Sequence, residues 1–133
     1  MRAIAWALGV SLLLFASAAM AENWRASSEA QGAIAYIDTE SIQRSGDEVQ
    51  FWRELRWPEV RELENGLRYD RMAALYLGDC RAMTLRAVKL RVNLGEKVLY
   101  AGDQEGAVEK AKPGTTAEID LRSACFDQWP VRK

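Results

Sequence analysis

The stretch AIAYIDTESIQRSGDEVQFWREL, residues 33–55, contains two β-prone runs joined by a short polar link. Gly46-Asp47 supplies a turn before the second run, because glycine adopts the positive φ that tight turns need. The second run alternates between two faces, with Val49, Phe51 and Leu55 on one and Gln50, Trp52 and Glu54 on the other. Such alternation predicts a half-buried antiparallel strand, and we expect the domain to be organised around this pair of strands.

The N-terminus has the layout of an export signal. Arg2 is followed by an apolar run over residues 3–15, and the small residues after it end in Ala19-Met20-Ala21. A signal peptidase cleaves after this small-x-small pattern, and the apolar run is shorter than a membrane-spanning helix. We therefore expect a cleaved signal peptide at residues 1–21, a single domain at residues 22–133, and no stable membrane span after cleavage.

The expected mature chain is short and nearly neutral. Without residues 1–21, 112 residues remain, with 17 basic and 19 acidic side chains. This length supports one domain with a small core. The near balance of charge argues against nucleic-acid binding, so any basic surface must be a local patch.

Two cysteines, Cys80 and Cys125, both lie in the mature part. An exported small domain with two cysteines most simply holds one disulfide bond. A redox pair or a metal site is the alternative. Redox cysteines usually lie close together as Cys-x-x-Cys, however, and two thiolates alone make a poor zinc site. We therefore predict a structural Cys80–Cys125 bond.

Turn signals divide the middle of the chain into strands. We expect the strand that starts near Val49 to end near Trp57-Pro58, because proline cannot donate to a strand ladder. Residues 59–64 would then form an exposed connection before the next strand at residues 67–77. Residues 81–92 alternate like a strand but include many good helix formers, so a helix is the alternative assignment. The turns that bracket them favour a long strand in a meander, followed by a short strand at 97–101 and a polar loop at 102–106.

The C-terminal part predicts a helix. Pro113-Gly114 breaks the chain, and Thr115 and Glu118 form a capping box. The helix from Thr116 to Phe126 would place Ile119, Ala124, Cys125 and Phe126 on its apolar side. The predicted fold class is therefore α+β: an antiparallel β-sheet meander with a C-terminal helix packed on it and stapled by one disulfide.

The composition argues against an enzyme. The chain has no histidine, which removes Ser-His-Asp and Cys-His nucleophile pairs and imidazole metal ligands. No glycine-rich phosphate loop follows a predicted strand. The 19 acidic residues of the chain single out no catalytic carboxylate pair. We therefore expect a non-catalytic protein without a metal or a cofactor.

A group of basic residues is the best candidate for partner binding. The group is Arg81, Arg86, Lys89 and Arg91. These residues could meet an acidic protein or a sulfated glycan. The alternative is a solvated face or sheet edge that pairs with acids such as Glu54. Trp52 and Trp57 could add an exposed aromatic patch, although burial is the commoner fate of tryptophan.

Short motifs of the mature chain resemble the surface-adhesin protein E family. The motifs are residues 36–42 (YIDTESI), Arg44, Gly46, residues 49–52 (VQFW), 69–71 (YDR), 78–81 (GDCR) and 113–115 (PGT), and Cys125. The resemblance covers most of the mature chain. It implies a small exported α+β domain of a Gram-negative bacterium, in which a disulfide joins an antiparallel sheet to a C-terminal helix. The chain departs from the family pattern near Val108, where an aromatic residue is expected.

The same resemblance implies an adhesin that binds host matrix and serum proteins, including vitronectin, laminin and plasminogen. The chain ends in Arg132-Lys133. A free C-terminal lysine is the kind of group that the lysine-binding modules of plasminogen accept, so Lys133 is a further candidate contact. A tail without a partner is the alternative.

A second function stays open at this stage. The protein could be a periplasmic structural or assembly protein in which an exposed sheet edge pairs into a homodimer. The sequence does not separate the periplasm from the cell surface as the final location.

Overall fold

The computed structural model describes residues 22–130. The predicted signal peptide at residues 1–21 and the candidate contact Lys133 lie outside the described residues. Within them, no helix is long and apolar enough to cross a membrane.

The described residues form eight strands, a short 3-10 turn and one helix. The elements are β1 Trp24–Ala30, β2 Ala33–Asp38, the 3-10 turn Thr39–Ser41, β3 Gln43–Ser45, β4 Glu48–Glu62, β5 Arg68–Asp79, β6 Thr84–Leu94, β7 Lys97–Asp103, β8 Glu109–Lys110 and α1 Thr116–Phe126. One antiparallel sheet has the strand order β1-β2-β4-β5-β6-β7, with β3 paired to β4 and β8 paired to β6. The predicted α+β class and the antiparallel meander are confirmed. Of the segment 81–92, residues 84–92 lie in strand β6, and residues 81–83 form the turn before it.

The helix α1 lies on one face of the sheet, which we call the helix face. Ile37, Val49 and Phe51 from the sheet are buried there against Leu121 and Ala124 of the helix. The Thr115 hydroxyl accepts a hydrogen bond from the Glu118 backbone N–H, as the capping box predicts. Burying these apolar groups is the main favourable contribution to docking the helix.

The disulfide joins Cys80 at the end of β5 to Cys125 in the last turn of α1. The two Cα atoms are 5.6 Å apart and the sequence separation is 45 residues. Closing a loop of that length stabilises the fold by about 4 kcal/mol in the chain-entropy model. The predicted Cys80–Cys125 bond is therefore present, and it fixes the C-terminal end of the helix to the sheet.

A buried ion pair also holds the helix. Asp120 of α1 is 2% exposed. It accepts hydrogen bonds from Arg53 of β4 and from the Ser28 hydroxyl of β1. A buried carboxylate needs such partners, because burying it unpaired would cost several kcal/mol. The helix is thus tied to two strands by polar contacts as well as by apolar packing.

The predicted ends of two strands and the predicted burial of one helix residue are wrong. The fourth strand continues through Pro58 to Glu62, because its pairing with β5 is irregular between Arg56 and Arg61, so the missing proline N–H costs no ladder bond. Strand β7 extends to Asp103, into the predicted loop. On the helix, Phe126 is 48% exposed, and Asp120 and Ser123 are buried instead because both have hydrogen-bond partners.

The strand near Val108 is short. Val108 is exposed, and β8 after it spans only two residues, whose partners are Thr84 and Leu85 of β6. The missing aromatic residue coincides with a strand that contributes little to the core.

Candidate binding surface

A β-bulge at Val88 brings Arg86, Lys89 and Arg91 to one face of the sheet. Strict alternation would place Arg86 on the opposite face from the other two, because side chains alternate along a strand. The register between β5 and β6 shifts by one residue at Val88, which corrects this offset. The three basic residues lie opposite every second residue of β5: Arg86 opposite Leu77, Lys89 opposite Leu75, and Arg91 opposite Ala73.

These residues lie on the face that carries no helix, which we call the helix-free face. Phe51 points to the helix face. Because side chains alternate along a strand, Trp52, Glu54 and Arg56, which lie one, three and five positions after it, point away from the helix. Glu54 lies opposite Ala73 of β5, and Ala73 lies opposite Arg91 of β6. The register therefore places Arg91 in the same row as Glu54.

Glu54 is a buried carboxylate shared by two arginines. Its side chain is 4% exposed. It accepts a hydrogen bond of 2.6 Å from Nε of Arg56 and one of 3.1 Å from Nη2 of Arg91. This confirms that Arg91 pairs with Glu54, the alternative raised from the sequence. Because two cations share one anion, the cluster keeps one positive charge in excess.

Aromatic rings hold the same two arginines from the side. The Cζ atom of Arg91 lies 5.4 Å from the Trp52 ring centroid. The Cζ atom of Arg56 lies 4.4 Å from the Tyr36 centroid and 5.5 Å from the Trp24 centroid. Such cation–π contacts attract a guanidinium to the ring face and restrict its motion. Trp52 is therefore covered by an arginine.

Trp57 lies apart from Trp52 and is also occupied. Its ring meets Tyr69 edge to face at 5.6 Å between centroids, and Arg61 approaches it at 5.2 Å. Its Nε1 donates a hydrogen bond to the Gln31 carbonyl. The two tryptophans do not form one open aromatic patch.

Arg71 adds a cation that sequence reasoning missed. It lies directly opposite Arg56 on the neighbouring strand and opposite Asn93 on β6. Like charges directly opposite each other destabilise a sheet. Only the register of β4 against β5 shows that Arg71 lies opposite Arg56. That register cannot be predicted from the sequence.

We call the five cations on the helix-free face the basic track. In spatial order along the sheet they are Arg86, Lys89, Arg91, Arg71 and Arg56. Within residues 22–130, Arg86, Lys89 and Arg71 take part in no ion pair. Asp103 of β7 lies opposite Lys89, but the two side chains form no ion pair. Arg86 and Lys89 are exposed and Arg71 is half-buried, so these three can offer N–H donors to a partner.

Arg81 lies outside the basic track. It is exposed in the turn after Cys80, and its backbone N–H donates to Oδ1 of Asp79. Asp79 lies opposite Glu48 at the same end of the sheet, so acidic side chains mark the end of the track beyond Arg86. Three of the four basic residues predicted to act together are thus neighbours on one face.

Two open grooves lie at the ends of the basic track. One has a volume of about 440 Å³, and Arg86, Gln50 and Leu77 contribute to its lining. The other, of about 500 Å³, is bordered by Arg56, Tyr36 and Trp57. In the described residues, no group of three or more Cys, Asp or Glu side chains could hold a metal ion. The face therefore offers charged hydrogen-bond donors on a rigid sheet, an arrangement suited to anionic groups.

Comparison with known proteins relates the chain to one family. A family model described as surface-adhesin protein E matches residues 24–126. Crystal form II of Haemophilus influenzae protein E matches with a TM-score of 0.57 at 15% identity, covering 80% of this chain and 96% of that chain. Protein E from non-typeable Haemophilus influenzae gives a TM-score of 0.53 at 17% identity, covering 78% and 84%. A search of curated proteins found no match. At these identities the structural likeness shows the fold.

Proposed function

Because the chain belongs to the surface-adhesin protein E family, we propose that its exported domain is an adhesin that binds host matrix or serum proteins. In this proposal the protein acts at the surface of a Gram-negative bacterium and has no catalytic turnover. The contact surface is the basic track. The observation that carries the proposal is that three of its cations, Arg86, Lys89 and Arg71, form no ion pair within residues 22–130.

Two arginines of the basic track are preorganised for binding. Glu54 and the aromatic rings hold Arg56 and Arg91 in place, so little side-chain entropy is lost when a partner binds them. Exposed Arg86 and Lys89 extend the positive potential toward solvent and steer acidic partners to the surface. An acidic segment of a matrix or serum protein fits such a surface.

The test measures binding of vitronectin, laminin and plasminogen to the mature chain, residues 22–133, by surface plasmon resonance. The double variant Arg86→Glu/Lys89→Glu reverses two exposed track charges. We expect its affinity to fall at least about tenfold, because exposed charges of the wrong sign repel an acidic partner. Arg91 is left unchanged, since its ion pair with buried Glu54 would make a loss of binding ambiguous.

The matched control is Lys97→Glu/Lys112→Glu. It changes the net charge by the same amount at two exposed lysines outside the track. The control should bind like the wild type. Equal weakening in both double variants would show a non-specific charge effect, and no saturable binding by the wild type to any of the three proteins would reject the adhesin function. Deleting Lys133 tests its proposed contact: only plasminogen binding should weaken.

A further inference from the structure

We propose that the chemical group recognised by the basic track is a sulfated polysaccharide chain, lying along β6 and then crossing β5 to β4. This inference rests on the proposed function, because it takes the track as the adhesive surface. The ligand is then a linear, repeating polyanion and not a folded acidic protein surface.

The backbone positions of the track cations are spaced almost evenly along the sheet. Arg86, Lys89 and Arg91 lie opposite every second residue of β5, so each step between them is about 7 Å. Arg91 and Arg71 are diagonal neighbours, roughly 7–8 Å apart, and Arg56 lies about 5 Å across from Arg71. The backbone positions of the five cations therefore extend over roughly 25 Å of path, while the guanidinium groups of Arg56 and Arg91 converge on Glu54. A polymer with an anion on each repeat can meet several of the cations, whereas a single small anion meets one or two.

The aromatic rings of this face favour charge recognition over ring stacking. Trp52 is covered by Arg91, and Tyr36 by Arg56. Stacking of nucleobases or neutral sugars needs free aromatic faces. With the rings occupied, the contacts left to a ligand are the N–H groups of the cations, which match sulfate oxygens in charge-assisted hydrogen bonds.

The middle of the track has a floor of two buried apolar side chains, Ala73 and Leu75. The two grooves described above lie at its ends, beside Arg86 and Arg56. Protein interfaces usually gain most of their affinity from a few side chains in desolvated central pockets. A strip of cations over a buried floor, with its grooves at the ends, fits a polysaccharide chain better.

The experiment titrates the mature chain with size-fractionated heparin fragments in a calorimeter. Affinity should rise steeply with fragment length until the fragment spans roughly 25 Å, and then level off. Desulfated fragments of the same length should bind at least about tenfold more weakly. The logarithm of the association constant should fall linearly with the logarithm of salt concentration, because each neutralised charge releases counterions.

The variant Arg71→Thr removes one track cation, and Arg68→Thr is its control. Arg68 is exposed at the start of β5, opposite Glu62 and outside the track. Arg71→Thr should weaken binding of the long heparin fragment roughly threefold to tenfold and lower the salt slope by about one. Arg68→Thr should change neither the heparin affinity nor the salt slope. Circular dichroism of both variants checks that the fold is kept.

The outcomes separate this inference from the proposed function. Equal binding of sulfated and desulfated fragments, or no dependence on fragment length, would overturn the inference. Single-stranded DNA that binds as tightly as a heparin fragment of equal charge would overturn it too. Binding of vitronectin or laminin without any competition by heparin would reject the polysaccharide and leave the adhesin function standing.

Discussion

On each face of the sheet a buried carboxylate pairs with arginine, and the two carboxylates are used differently. On the helix face, Asp120 is paired with Arg53, so the charges balance and the helix is fixed to the sheet. On the helix-free face, Glu54 is shared by Arg56 and Arg91, so one positive charge remains. The same pairing chemistry therefore docks a helix on one face and leaves a positively charged cluster on the other.

Removing the disulfide should have the largest effect, and it should act on the helix face alone. The double variant Cys80→Ser/Cys125→Ser should lose about 4 kcal/mol of unfolding free energy, because the cross-link no longer restricts the unfolded chain. Urea unfolding followed by circular dichroism measures the loss. Where the variant is still folded, heparin binding should match the wild type. An unchanged unfolding free energy would show that the other helix contacts suffice.

Neutralising Asp120 and Glu54 in turn compares the two faces directly. Asp120→Asn leaves Arg53, 14% exposed, without its anion and should cost about 3 kcal/mol. Glu54→Gln should cost less, about 2 kcal/mol, because Arg56 and Arg91 are 29% and 25% exposed and still contact aromatic rings. Both values come from urea unfolding.

The same two variants should differ in binding. Glu54→Gln adds a positive charge to the basic track, so folded protein should bind heparin fragments at least as tightly as the wild type. Asp120→Asn should leave the affinity unchanged. Weaker heparin binding by Glu54→Gln would mean that the carboxylate is needed to position the arginines, and the two faces would then be less different than their charges suggest.

The sequence predicted the parts of the fold that depend on local signals. The helix Thr116–Phe126 was predicted because its cap, Thr115, and the preceding Pro113-Gly114 are local. The end of β4 was missed because Pro58 lies in a bulge, where a ladder bond is not required. A strand prediction also does not show which strands pair, within one chain or between two chains. The homodimer through a sheet edge therefore stays a prediction.

The candidate site was predictable only in part, for a geometric reason. The high density of basic residues in β6 is visible in the sequence itself. That Arg86 joins Lys89 and Arg91 depends on the bulge at Val88, and bulges leave no reliable sequence signal here. Arg71 and Arg56 became part of the track only through the register of β4 against β5, a long-range property.

The smallest expected effect is the most specific test of the helix-free face. Arg71→Thr removes one of two like charges that lie directly opposite each other, so the unfolding free energy should rise by roughly 0.2–0.5 kcal/mol at low salt. The gain should disappear in about 1 M salt, where charges are screened within roughly 3 Å. A gain from better strand packing by threonine would persist in salt. Arg68→Thr reports that contribution separately when it is measured in the same high salt, where the attraction of Arg68 to the opposite Glu62 is screened. A more stable variant that binds heparin less well would mean that Arg71 is kept for binding at a cost in stability. Destabilisation at low salt would instead show that an attraction holds Arg71 in place, and the like-charge argument for the track would then fail.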